Sequence, residues 1–280
     1  MYIDTVDYCD AHAAEKFAKS LKQSGFAVLI NHPLSWSTIQ CIYDEWLAFF
    51  RSEEKYNYEV TPTQHGGLFT TARSETAKGQ TQKDLKEFFH IFQNDVYPKE
   101  VSTTALNYYD SAHQLAKELL SWIDIQSPLE IQNGFSQPLA HMIEGSKSLL
   151  RILRYTPIES DEEYIRAAAH EDINLITILP AATAKGLQVQ SQCGEWIDIP
   201  LEPNSLIINI GDMLQEASQG YYPSTTHRVV KPKDEKELER VAMPFFLQPR
   251  ADVVLSKRYT AGQYHAERMK ELKLFKEDHV

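Results

Sequence analysis

Cysteine is almost absent from this chain. Three residues, Cys9, Cys41 and Cys193, are scattered over 280 positions, odd in number and in no CxxC spacing. That excludes a disulfide framework or a cysteine zinc site and fits free thiols in a reducing cytoplasm. A positive surplus is missing too: 28 Lys and Arg stand against 39 Asp and Glu, for a net charge of −11. A nucleic-acid groove needs a basic face, so that partner is not expected, although a local basic cluster can still take an anion. No apolar run approaches the length of a membrane span, so no membrane partner is expected. The opening MYIDTVDYCD is acidic and lacks the basic and apolar regions of a secretory signal, and a cytoplasmic location is expected.

What remains is the composition of a globular protein with a substantial core, 42% hydrophobic and 24% charged. The first half reads as mostly helical. Apolar residues recur at helical spacing over 10–23, before Ser24-Gly25. Phe26–Ile30 is a short β-rich strand. Ser35 can cap a second helix reaching Arg51, whose stripe is Ile39, Ile42, Tyr43, Trp46, Phe49 and Phe50. Residues 61–83 have loop composition, and DLKEFFHI (84–91) resumes as a strand in which Lys86 and Glu87 read as solvated charges. The longest helical pattern runs from about 102 to 125, stopping before Pro128. Its His113 reads as a packed or surface histidine.

After Gly145 the texture changes. Short β-branched segments follow one another: 149–155, 167–170, 174–180, 186–190, 195–200, 205–210, 225–230, 240–249 and 252–255, with GDMLQEASQG as a turn. Such spacing predicts a sandwich or barrel, and two sheets of this kind form a jelly roll. The fold class expected is therefore mainly β with flanking helices around a double-stranded β-helix (jelly-roll, cupin-like) core. The expected division is an N-terminal, mostly helical region (1–145), the core (146–258) and a C-terminal helix (259–280), folded as one unit.

Within the core, AAAHEDINLITILP holds His170 and Asp172 one residue apart. In an extended strand, positions i and i+2 share a face, so both can address one point while Glu171 turns away. A second histidine would complete a 2-His-1-carboxylate triad, which suits non-haem Fe(II) with open coordination positions. His227 is the only histidine between Asp172 and the C-terminal helix. The plainer alternative is a strand-end histidine hydrogen-bonded to a carboxylate. Oxygen activation also needs electrons, commonly from a 2-oxo acid whose distal carboxylate requires a cation. Arg240 opens the apolar strand RVAMPFFLQP and can supply one through its planar fork, unless it is a solvated strand end.

Many segments, in order, make the chain similar to one family. GFAVLINH, DLKEFFHI, LLRILRYTP, AAHEDINLITIL, GEWIDIP, NSLIINIGDMLQEASQG, STTHRVV and RVAMPFFLQP resemble the iron(II)- and 2-oxoglutarate-dependent oxygenases of the isopenicillin N synthase-like superfamily. The resemblance implies His170, Asp172 and His227 as catalytic iron ligands, Arg240 as the cosubstrate's carboxylate partner and Tyr155 as a second contact. Fe(II), 2-oxoglutarate and O2 are the implied cofactors and cosubstrates. A small-molecule substrate would be hydroxylated or desaturated with release of succinate and CO2. Ala242 departs from a serine that is common two residues after the arginine, and one hydroxyl is lost. An iron oxidase that does not use 2-oxoglutarate and a non-catalytic metal- or ligand-binding jelly roll remain as alternatives. The 61–83 loop and the C-terminal helix are the expected substrate lid.

Overall fold

A computed structural model of the chain describes residues 2–61, 64–71, 86–157, 164–231 and 239–271. After strand β1 (Thr5–Asp7), helix α1 (Ala13–Ser24) buries Phe17, Ala18 and Leu21 along one face. Gly25 ends it with φ +72 in the left-handed region, where a Cβ would meet the Pro223 carbonyl oxygen at 2.5 Å. Strand β2 (Phe26–Ile30) then leads to α2 (Trp36–Arg51). The Ser35 hydroxyl caps α2 by accepting from the Thr38 amide at 3.3 Å, as its sequence position predicted. All six residues of the predicted apolar stripe are buried.

Next come β3 (Gly67–Phe69), β4 (Lys86–Ile91) and α3 (Thr104–Gln126), followed by two single turns, α4 (Leu129–Gln132) and α5 (Leu139–Met142). The barrel strands are β5 (Leu149–Tyr155), β6 (Tyr164–His170), β7 (Ile176–Pro180), β8 (Leu187–Gln190), β9 (Trp196–Asp198) and β10 (Leu206–Ile210). Helix α6 (Asp212–Ala217) intervenes before β11 (His227–Lys231), β12 (Arg240–Ala242) and β13 (Phe245–Leu247), and α7 (Ala261–Glu271) follows.

Some boundaries differ from the expectation. GDMLQEASQG is not a turn but contains α6. RVAMPFFLQP is two strands, because Pro244 has no N–H to continue the ladder. DVVL forms no named strand: Val253 and Leu255 spend their amides on the Arg250 and Tyr259 carbonyls, leaving one isolated bridge, Val254 to Thr260. Of the expected lid, residues 62–63 and 72–83, and the helix beyond Glu271, lie outside the described residues.

Among the described residues, nine strands form one sheet in the order β1–β2–β10–β7–β13–β5–β4–β3, with β12 also paired to β5. Four form the other, in the order β6–β11–β8–β9. Strands β1 to β4, from the first 145 residues, thus extend the same sheet as the barrel strands. Strand alternation gives the large sheet two different faces. Ala27, Leu29, Phe89, Ile91, Ile152, Leu206 and Ile208 pack outward into one core with α1, α2 and α3. Phe26, Val28, Phe88, Leu153, Tyr155, Ile207 and Ala242 point inward and meet Ala167, Leu187, Val189 and Val229 of the small sheet. Burying each Leu, Ile or Phe in these layers contributes about 1.5–3 kcal/mol. The inner space between the two sheets is the jelly-roll interior.

Lys86 and Glu87 are both about 5% exposed, which overturns their reading as solvated charges. Alternation sends Lys86 inward and Glu87 to the outer face. There Glu87 pairs with Lys55 and Arg154, each at 2.8 Å, and Arg154 and Arg51 both pair with Glu239. Burial would raise the Glu239 pKa, but the two arginines outweigh it and hold the carboxyl below its ordinary value.

Candidate active site

His170 is the last residue of β6 and His227 the first of β11, and the two are register partners. Asp172 lies two residues beyond the end of β6, in the connection to β7. The expectation that one extended strand carries both His170 and Asp172 is therefore corrected: the turn, not strand alternation, brings the carboxylate round. The convergence itself is present. Asp172 Oδ1 lies 3.9 Å from His170 Nε2 and 3.8 Å from His227 Nε2. One ligand atom from each residue lies within 4.8 Å of the others, which is spacing that can hold a metal ion.

The groups behind these atoms are already engaged. His170 Nδ1 donates to the Ala168 carbonyl at 2.7 Å and His227 Nδ1 to the Thr225 carbonyl at 3.2 Å. Each imidazole is thus held with its Nε2 lone pair toward the shared point, as metal-binding histidines require. Asp172 Oδ2 accepts from Thr177 Oγ1 at 2.6 Å and Asn209 Nδ2 at 2.8 Å, which leaves Oδ1 for the same point. Burial raises the Asp172 pKa, but His227, His170 and these two donors together bring it below its ordinary value. Lost hydration and the adjacent His227 push the His170 pKa down to about 4, so the ring is neutral at pH 7. With 42% of its side chain still exposed, His170 sits at the open mouth. Behind the site, Asn174 Nδ2 donates to Thr177 Oγ1 at 2.8 Å. Gly211 is required there, since a Cβ would fall 2.2 Å from Asn174 Oδ1.

Arg240 is 3% exposed and is no solvated strand end. Its Nε donates to the Ala184 carbonyl at 3.0 Å, and its guanidinium lies 5.3 Å from the centre of the Tyr155 ring. Tyr155 is its register partner on β5, and both face the barrel interior. Among the described residues no carboxylate pairs with Arg240. A buried cation without an anion is costly, and burial duly lowers its pKa. Such a group suits a bound carboxylate. Ala242 fills the same inner face with a methyl group and is 2% exposed.

Thr177 and Asn209, which bond Asp172, and Lys86, which lies near His170, adjoin the candidate site and were missed by sequence reasoning. Thr177 and Asn209 are lone polar residues inside the apolar runs LITILP and LIINI, and that irregularity was the available signal. Lys86 lies near enough to His170 to disfavour its protonation.

A jelly roll whose mouth gathers two imidazoles and a carboxylate, with a buried arginine beneath, defines a non-haem metal-dependent oxygenase. Comparison with known proteins agrees. The model of the 2OG-Fe(II) oxygenase superfamily matches residues 147–249, and that of the non-haem dioxygenase in morphine synthesis N-terminal region matches residues 3–111. A solved Shewanella oneidensis structure described as an oxygenase is 46% identical, with a TM-score of 0.89 over 98% of this chain and 100% of that one. The 2-oxoglutarate-Fe(II) type oxidoreductase hxnY of Emericella nidulans is 31% identical over 273 residues, covering 87% of this chain and 76% of that protein. A full-length Neurospora crassa protein solved in complex with alpha-KG shares the fold at 22% identity, with a TM-score of 0.79 over 95% of each chain. The chain belongs to the 2-oxoglutarate-Fe(II) oxygenase superfamily and is an oxidoreductase that uses Fe(II), 2-oxoglutarate and O2.

Proposed function

We propose that His170, Asp172 and His227 hold the iron and that Arg240, with Tyr155 beside it, holds the distal carboxylate of 2-oxoglutarate. The observation that carries this reading is the set of bare atoms. Two Nε2 lone pairs and one Oδ1 converge, while every other polar atom of those side chains has a partner. When bound, iron and 2-oxoglutarate supply the oxidising chemistry, and the cosubstrate leaves as succinate and CO2. The chain's own part is to fix geometry. Thr177 and Asn209 orient the carboxylate, the Ala168 and Thr225 carbonyls orient the imidazoles, and the apolar inner layer excludes water. The substrate is a small molecule entering beside His170, and one of its C–H bonds is hydroxylated or desaturated. The Neurospora crassa protein, for comparison, has also been solved with alpha-KG and thymine together. Arg240, a buried cation with no carboxylate partner among the described residues, supports use of 2-oxoglutarate over an oxidase that draws all its electrons from substrate.

The N-terminal region (1–145), the core (146–258) and the C-terminal helix (259–280) act as one folded unit in this reading, supported by β1 to β4 joining the barrel's larger sheet and by Ala261 and Tyr264 joining the core. Three exposed free cysteines fit a reducing, cytoplasmic setting. Among the described residues no helix is long and apolar enough to cross a membrane. The test is anaerobic titration of Fe(II) and 2-oxoglutarate, read by the metal-to-ligand charge-transfer band. Wild-type protein should develop the band, and His227→Ala should retain no iron after desalting. A wild type without the band, or a His227→Ala protein that keeps its iron, would defeat the assignment.

A further inference from the structure

The two imidazoles of the candidate site are held from behind in different ways. The carbonyl that orients His170 belongs to Ala168, inside strand β6. The one that orients His227 belongs to Thr225, two residues before β11, where no strand fixes it. Yet His227 is the deeper of the two, its side chain 10% exposed against 42% for His170. The Thr225 carbonyl needs another anchor, and it has one in the N-terminal part of the chain.

The Thr225 hydroxyl donates to the Ser24 carbonyl at 2.8 Å. Ser24 is the last residue of α1, so this carbonyl is one of the acceptors that a helix leaves without an internal partner. Gly25 makes the approach possible, because a Cβ there would fall 2.4 Å from Thr225 Oγ1 and 3.1 Å from Thr225 Cβ. The junction is itself well tied. The Ser24 hydroxyl lies 2.9 Å from the Ser20 carbonyl and 2.8 Å from the Phe26 carbonyl, and the Phe26 amide donates to Ser24 Oγ at 3.1 Å. The Gly25 carbonyl accepts from the Ile210 amide at 2.9 Å. Ser24, Gly25 and Phe26 are all buried. Phe26 then sets its ring 5.6 Å from that of His227, with the two planes at 76°. The neighbours of Thr225 are restrained as well: the Ser224 amide donates to Gln215 Oε1 at 2.7 Å, and the Thr226 hydroxyl donates to the Glu171 carboxylate.

We infer that the Ser24-Gly25-Phe26 junction between α1 and β2 positions His227 for the metal, on one side through the Thr225 carbonyl and on the other through the Phe26 ring. The inference rests on the proposed function for the role of His227. Thr225 and Phe26 are positioning residues, and neither is among the proposed ligands. An imidazole free to turn spreads its Nε2 lone pair over a wider arc, and metal binding must then fix that rotation at a cost in affinity. A helix end 201 residues away in sequence thus becomes part of the metal site.

Fe(II) affinity, measured anaerobically by competition with a chelator, tests this together with the visible d–d bands of Co(II)-loaded protein, which report ligand orientation. Thr225→Val keeps the shape of the side chain and removes its donor. It should bind Fe(II) about 10- to 100-fold more weakly, the loss expected when a partner behind a ligand is removed, and should shift the Co(II) bands at saturating metal. Thr225→Ser keeps the hydroxyl and should restore both. A merely structural role would lower the melting temperature and leave the bands of the loaded protein where they are. Wild-type affinity in Thr225→Val, unmoved bands, or a loss that Thr225→Ser does not repair would each overturn the inference. If Thr225→Val does not fold by circular dichroism, Phe26→Leu takes its place. Its Fe(II) affinity should fall about 2- to 10-fold with loss of the ring contact and its bands should move; unmoved bands overturn the inference. Failure of the iron reading looks different, because His227→Ala then keeps its metal. Failure of the positioning role alone leaves His227→Ala without metal and Thr225→Val like wild type.

Discussion

Arg240 and the charges on the opposite face of β4, β5 and β12 are buried in contrasting ways. On the outer face, under α2, Lys55, Glu87, Arg154, Glu239 and Arg51 form a chain of alternating sign in which each charge has a partner of the other. On the inner face Arg240 has a backbone carbonyl and an aromatic ring, and no carboxylate among the described residues. Glu239 and Arg240 are consecutive in sequence, yet one belongs to the paired network and the other to the candidate site. The outer charges satisfy each other and belong to the fold, whereas Arg240 is, in the proposed reading, the cation that the cosubstrate's carboxylate completes. A network complete in itself contributes to stability; an incomplete one is where a ligand completes the set.

Breaking the outer network should produce the largest effect. Arg154→Met strands Glu87 and Glu239 with one partner fewer in a largely buried setting, and we expect a loss of about 3–5 kcal/mol in urea denaturation. Arg240→Met, one register position away on the other face, should leave stability unchanged or slightly higher, because no ion pair is lost. Its 2-oxoglutarate affinity should fall by about 10- to 150-fold, the value of hydrogen bonds to a charged group. If both substitutions destabilise equally, the two faces do not differ in the way described.

Smaller effects sharpen the same contrast. Asn209→Ala removes a donor to Asp172 Oδ2 without touching the proposed ligand atoms. Iron affinity should drop about tenfold, measured by competition with a chelator, with little change in 2-oxoglutarate affinity once iron is saturating. Part of the pH dependence of stability belongs to the outer face. Because Glu239 has a folded pKa below its ordinary 4.5, its pairing stabilises the protein above that pH. The contribution is lost as pH falls from 4.5 through the lower folded value. Glu239→Gln should flatten that part of the acid limb, and a slope identical to wild type would remove Glu239 from the account.

Much of this was legible in the sequence where periodicity and chemistry agreed. Phe26–Ile30 and Leu149–Tyr155 are strands with the bounds their composition predicts. Trp46 and its stripe are buried as helical spacing requires. His170, Asp172 and His227 come together as their residue types predicted, and Arg240 is buried as a charge at the start of an apolar strand implied. Other features were hidden for physical reasons. Lys86 and Glu87 look like surface charges because a sequence does not show which helix will cover a strand. Pro244 splits one apolar run into two strands, a break visible only once ladder hydrogen bonds are counted. The turn that swings Asp172 round depends on backbone contacts from residues far along the chain, among them the Asp212 amide donated to the Asp172 carbonyl at 2.7 Å.

Strand β2 pairs with β10, so Leu29 must find Leu206 and Phe26 must find Asn209 before the larger sheet is continuous. Neither partner is local, and closing so long a loop is entropically slow. During synthesis the amino-terminal helices and strands therefore emerge well ahead of the segment that closes over them. The same residue, Asn209, donates to Asp172. One residue thus serves both the closing of the larger sheet and the orientation of the proposed ligand cluster.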